Sequence, residues 1–200
     1  MNAFLTRFAR STNAATAAEF ALVLPLLLLF LIGIIYVGAL MWTWNRAEKA
    51  TQMGVRFAVV TDLVPSGLAG INFMSSPYNC SQGNNIPVSS AGSCAFSATI
   101  TCQSGGCSSY GYDGTAFNNI VLRMQAFMPE IQPANVQVIY QHVGLGYAGD
   151  PNGPDISPLV TVRLRDMTFA PGFAAMFGSL TLPDFSAALT MEDSSGSTSN

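Results

Sequence analysis

Four groups of residues in this chain have types and spacings that could do chemistry. Glu19 is a lone carboxylate at the edge of a charge-free run, Phe20–Asn45. Cys80, Cys94, Cys102 and Cys107 are all the cysteines present, and they fall within one stretch downstream of that run. His142 is the only histidine. Asp150-Pro151-Asn152-Gly153-Pro154-Asp155 gathers several oxygen ligands. A single histidine, with no C-x-x-C or H-E-x-x-H frame, argues against a metal hydrolase. There is no G-x-S-x-G elbow to hold a nucleophilic serine and no Walker A loop to hold a nucleotide. His142 is therefore expected to be structural. The acidic cluster lacks the regular spacing and terminal Glu of a calcium loop, and its prolines and glycine read as a turn. No enzyme activity, cofactor or metal is expected.

The cysteines point to a compartment. Structural zinc would need thiolates in close pairs such as C-x-x-C, which are missing. An even count in an exported segment reads as two disulfides. Four cysteines allow three pairings, and the sequence leaves the choice open. The turn-forming spacer Gln103–Gly106 favours Cys102–Cys107, with Cys80–Cys94 as the other bond.

The elements that must position these groups follow from charge and hydropathy. Half of the 200 residues are hydrophobic and a tenth are charged, against about a quarter in a soluble domain. Residues 1–61 hold five basic and two acidic groups, net +3; residues 62–200 hold three basic and nine acidic, net −6. An acidic distal part excludes the basic footprint of a nucleic-acid binder. The run Phe20–Trp44 exceeds the roughly 20 apolar residues that cross a bilayer and is too long for the core of a cleaved secretory peptide. Trp42 and Trp44 stand at its far end, where amphipathic rings favour the headgroups. Arg7 and Arg10 precede it and favour a cytoplasmic N-terminus. Pro25, inside the run, removes one intrahelical bond and predicts a kink. Beyond the run, Ala47, Ala50, Gly54, Phe57 and Ala58 recur at helical spacing opposite Arg46, Glu48, Lys49, Gln52 and Arg56. A single helix over about 16–60 is expected, about 67 Å long, so that about half projects beyond a 30 Å hydrocarbon core.

The residues around Glu19 read Asn13-Ala14-Ala15-Thr16-Ala17-Ala18-Glu19-Phe20-Ala21-Leu22-Val23-Leu24-Pro25-Leu26-Leu27. This stretch resembles the N-terminus of TadE-like proteins of the tight-adherence (Flp-type) pilus system. There, a basic leader ends in a small residue, and four residues later comes Glu followed by an aromatic and an apolar run. The resemblance implies cleavage by a prepilin peptidase between Ala14 and Ala15, with Ala14 standing where the family usually has Gly. It also implies that Glu19 pairs with the terminal amine of a neighbouring subunit during assembly. Gly54, Arg56, Phe57 and Ala58 are similar to the family's post-membrane stretch. Val160-Thr161-Val162, Phe169-Ala170-Pro171 and Ala187-Ala188-Leu189-Thr190-Met191-Glu192 are similar to its C-terminal end.

The remaining periodicities predict a strand over Ala95–Cys102, loop over Gly105–Gly114 and a helix over Thr115–Met128. Further strands are expected over Asn135–Val143, Leu159–Leu164 and Phe185–Met191, with a short helix over Ala170–Phe177. The fold class is α+β: a long N-terminal transmembrane α-helix followed by a small exported domain with an antiparallel sheet, pilin-like. The expected organisation is a leader over 1–14, the extended helix over 15–61, an exported domain over 62–193 and a disordered tail over 194–200. The function this implies is that of a minor pilin or pseudopilin, held in the inner membrane and used in pilus assembly, initiation or adhesion. Its partners would be other pilins and minor pilins, the prepilin peptidase, the inner-membrane assembly platform and membrane lipid, but no nucleic acid. The competing reading is a membrane-tethered exported enzyme or binding domain unrelated to pili.

Overall fold

The computed structural model describes residues 12–89, 94–151, 153–170, 172, 178–192 and 196. The chain divides into two compact units, Met1–Thr43 with Ala170–Gly178, and Trp44–Phe169 with Ser179–Asn200. The expected short helix over Ala170–Phe177 and the expected tail over 194–200 lie almost wholly outside the described residues.

Helix α1 covers Thr12–Ala58 and runs unbroken through Pro25. In its first part the apolar side chains face outward: Leu22 is 79 % exposed, Leu26 70 % and Phe30 67 %. In its second part the small-residue stripe is buried, with Ala47, Ala50 and Ala58 fully enclosed, while Glu48, Lys49, Gln52 and Arg56 stay exposed. The helix ends as the Thr61 hydroxyl donates to the Phe57 carbonyl at 2.8 Å.

The second unit is a two-layer α+β fold. Its strands are β1 (Thr99–Gln103), β2 (Gly106–Cys107), β3 (Val136–Gln141), β4 (Leu159–Leu164), β5 (Thr168–Phe169), β6 (Leu180–Thr181) and β7 (Phe185–Thr190). Five form an antiparallel sheet in the order β2-β1-β3-β4-β7. The register aligns Cys102, Val138, Val162 and Ala187 across four strands. Alternation of side chains then puts Ile100, Tyr140, Val160 and Leu164 on one face, all buried, and Thr99, Gln141 and Arg163 on the other, exposed. The buried face is covered by α1 and by α2 (Gly114–Gln125), which turns Phe117, Ile120, Val121 and Met124 inward. Asp113 caps α2, its carboxylate accepting from the Thr115 and Ala116 N–H groups.

Several expected boundaries move, each for a local reason. The first strand begins at Thr99 rather than Ala95 because Phe96 leaves the sheet line to stack with Phe73 and Tyr78, at centroid distances of 5.2 and 5.9 Å. The expected loop over Gly105–Gly114 contains β2, since Cys107 is drawn into register opposite Cys102. Helix α2 stops at Gln125, three residues short of Met128, with Ala126 as its cap; the Phe127 N–H bonds back to the Met124 carbonyl, which tightens the last turn, and Pro129 disfavours helical backbone at Met128. The β5–β6 pair was not expected. Residues 62–89 have no strand or helix, yet they bury Leu68, Phe73 and Ile86.

Candidate functional site

The first candidate site lies along the outward-facing part of α1. Ala14, Ala15 and Glu19 share this helix, and four residues amount to about one turn, or about 6 Å of rise. Positions 15 and 19 therefore lie on the same face. Glu19 is exposed. Among the described residues the one salt bridge joins Arg46 to Glu130, leaving Glu19 without an ionic partner there. The most apolar window of the helix has a mean hydropathy of 2.9 and none of it is buried. A core helix of a soluble protein would hide such a surface; this one needs an apolar medium around it. Among the described residues it is the one helix long and apolar enough to cross a membrane, and it reads as a single-pass anchor. Pro25 supplies no N–H to the Ala21 carbonyl, but the helix continues on both sides.

In the second unit α1 is fastened to the sheet and α2. An added Cβ on Gly54 would come within 2.7 Å of Met124 Cγ and 3.5 Å of Val162 Cγ1, so only glycine permits this close crossing. Arg46 donates from Nε to the Phe127 carbonyl at 3.0 Å and pairs with Glu130 at 3.0 Å, placing a cation beyond the C-terminal end of α2 where the helix dipole favours it. The Tyr140 hydroxyl, deep in the core, accepts from the Val64 N–H at 3.3 Å. Burial pushes this phenol well above the ordinary tyrosine range, the hydrogen bond from Val64 opposing it.

The structure brings the cysteines together as Cys80–Cys94 and Cys102–Cys107, with no free thiol among the described residues. His142 is buried; its Nε2 lies 2.8 Å from the Ile86 carbonyl and its ring packs edge-on to Phe96. Of the two acids in the Asp150–Asp155 segment, Asp155 ties backbone together. Asp155 is buried and accepts from the N–H groups of Phe73, Gly149 and Asp150 at 3.0, 3.0 and 3.1 Å. Among the described residues no three His, Cys, Asp or Glu side chains cluster as metal ligands. Nothing in the sequence distinguishes Asp155 from Asp150, so its role as a tie between two loops escaped sequence reasoning. Gly54 was legible as part of a small-residue stripe, but its contact with Met124 was not.

One open groove of about 400 Å³ lies beside β7, lined by Trp44, Glu48, Thr51 and Gln52 of α1 and by residues 184–187. Trp44 meets Phe185 edge-on at 5.1 Å and donates from its indole N–H to Glu48 at 2.9 Å.

Searches among curated proteins and among solved structures found no match. A family model does match, over the helix that bears Glu19, the apolar surface and Gly54. This chain carries the TadE-like segment expected from its N-terminal motif, residues 14–56 matching the family described as TadE-like protein.

Proposed function

We propose that this protein is a minor pilin or pseudopilin of a tight-adherence pilus, inserted in the inner membrane with its N-terminus cytoplasmic and its sheet domain exported. Its role is structural: it enters or starts the fibre through helix packing, and it catalyses nothing. The observation that carries this reading is the TadE-like match over residues 14–56, which begins at the expected cut and takes in the whole exposed apolar surface. Cleavage between Ala14 and Ala15 creates an ammonium one turn below Glu19. Side chains on a helix lean toward its N-terminus, so the Glu19 carboxylate leans toward the depth at which a neighbour's new amine sits. Pairing relieves two charges that would each be costly at the edge of hydrocarbon. The same pairing sets the axial register between subunits. The two disulfides suit an oxidising exported compartment.

The test is the mass of the N-terminus in membranes from cells that hold the prepilin peptidase. A chain starting at Ala15 is expected; an intact leader under those conditions counts against the reading. The companion variant, Glu19→Ala, is expected to remain in the membrane and to lose co-purification with partner pilins. Unchanged co-purification removes the role assigned to Glu19.

A further inference from the structure

Among the described residues the edge of the sheet at β7 is open. β7 pairs only with β4, and among the described residues its backbone groups on the far side have no partner. In an antiparallel ladder every second residue directs its N–H and C=O away from its neighbour, so Phe185–Thr190 offers a row of donors and acceptors that no described residue takes up. Edges are usually blunted by charge, proline or extreme shortness. This edge, Phe185-Ser186-Ala187-Ala188-Leu189-Thr190, has six residues and neither charge nor proline.

The other wall of the groove is α1, which runs parallel to this edge. Trp44, where α1 enters the second unit, touches Phe185 at the start of β7, and the Glu192 N–H donates to the Val59 carbonyl just past the ends of both elements. Fifteen helical residues rise about 22 Å and seven extended residues about 23 Å, so the two stay abreast. Trp44, Glu48 and Gln52 form one helical stripe along the trough. Glu48 and Asp184 place two carboxylates in it, and no basic side chain lines it.

We propose that β7 accepts an added strand from a different protein, one that brings lysine or arginine into the trough beside Glu48 and Asp184. Main-chain bonds to β7 would supply the docking, and the acid-lined trough would select the side chain. A second copy of this chain fits poorly. An antiparallel β7–β7 pair about a twofold axis normal to the sheet would bring only phenylalanine, alanine and leucine side chains of β7 to the trough. A parallel pair would bring only serine, alanine and threonine side chains of β7 to the trough. The inference holds whether or not the leader is cut, so it stands apart from the pilus reading.

The experiment uses the full chain in detergent micelles and a nine-residue probe peptide in which valine alternates with lysine and threonine. Backbone amide exchange is read across the chain, with binding measured by anisotropy. The lysine peptide is expected to slow exchange at Phe185–Thr190 by at least tenfold. The same peptide with glutamate for lysine is expected to bind about tenfold more weakly, and so is the lysine peptide toward Glu48→Lys or Asp184→Lys, both at exposed positions. N-methylation of alternate peptide residues is expected to abolish binding. Equal binding of the lysine and glutamate peptides overturns the proposal, as does binding that survives N-methylation or protection that appears away from β7. Concentration-dependent self-association that protects β7 without any peptide also overturns it, in favour of a homomeric edge.

Discussion

Replacing Gly54 tests whether α1 is locked onto the sheet domain by close approach. Alanine there puts a Cβ 2.7 Å from Met124 Cγ and 2.9 Å from its Sδ. Met124 is fully buried, so its chain cannot swing out to water and must repack. Overpacking of this kind costs about 1–3 kcal/mol. The helix gains about 1 kcal/mol from alanine over glycine, so Gly54→Ala is expected to lose between about 0 and 2 kcal/mol. Gly54→Val recovers less helix propensity and pushes two further methyls toward Met124 and Val162; a loss of about 2–4 kcal/mol is expected. For a domain of this size that corresponds to a fall in melting temperature of roughly 4–16 °C, at about 2–4 °C per kcal/mol. The assay is denaturation of the full chain in micelles, followed by the fluorescence of Trp44, which reports its contact with Phe185. A double-mutant cycle with Met124→Ala sharpens the test: removing the side chain that clashes should make the pair less damaging than the sum of the singles, by about 1 kcal/mol or more. If Gly54→Val lies within about 0.5 kcal/mol of wild type, or the cycle shows no coupling, the close-crossing argument fails.

Asp155→Ala leaves three backbone N–H groups without their acceptor and is expected to cost about 3 kcal/mol or more, with Asp155→Asn costing less, as read from denaturant midpoints. Stability should be flat with respect to Tyr140 below pH 10, the ordinary tyrosine value. Above it the unfolded phenol ionises while the buried one stays protonated, so stability falls by up to about 1.4 kcal/mol per pH unit until the native group titrates; Tyr140→Phe should remove that part of the alkaline fall. Opening Cys80–Cys94 by a double serine substitution should cost about 3 kcal/mol from the loop it closes, and opening the tighter Cys102–Cys107 loop about 2 kcal/mol, measured by denaturation under oxidising conditions.

What could be read from the sequence was whatever depended on runs and repeats. The absence of charge over Phe20–Asn45 marked the apolar helix, and the spacing of Ala47, Ala50, Gly54 and Ala58 marked the face it buries. Strand β4 appeared with its observed bounds because Val160, Val162 and Leu164 alternate with Thr161 and Arg163. The motif at Ala14–Leu27 led to the TadE-like family, which matches that part of the chain. What could not be read depended on partners distant in sequence. Strand β2 is two residues long and owes its place to Cys102. Phe96 looked like a strand residue because its attraction to Phe73 and Tyr78 is invisible to periodicity. The trough beside β7 needs Trp44 and Phe185, 141 positions apart, to meet.

The parallel course of α1 and β7 also has a mechanical meaning. A pull along the axis of α1 reaches the sheet as shear, spread over Trp44–Phe185, the Gly54 crossing and the Val59–Glu192 hydrogen bond. Contacts loaded in shear share the force and yield together, whereas contacts peeled from one end yield in turn. A sheet domain hung on its helix in this way resists tension along that helix better than tension applied across it.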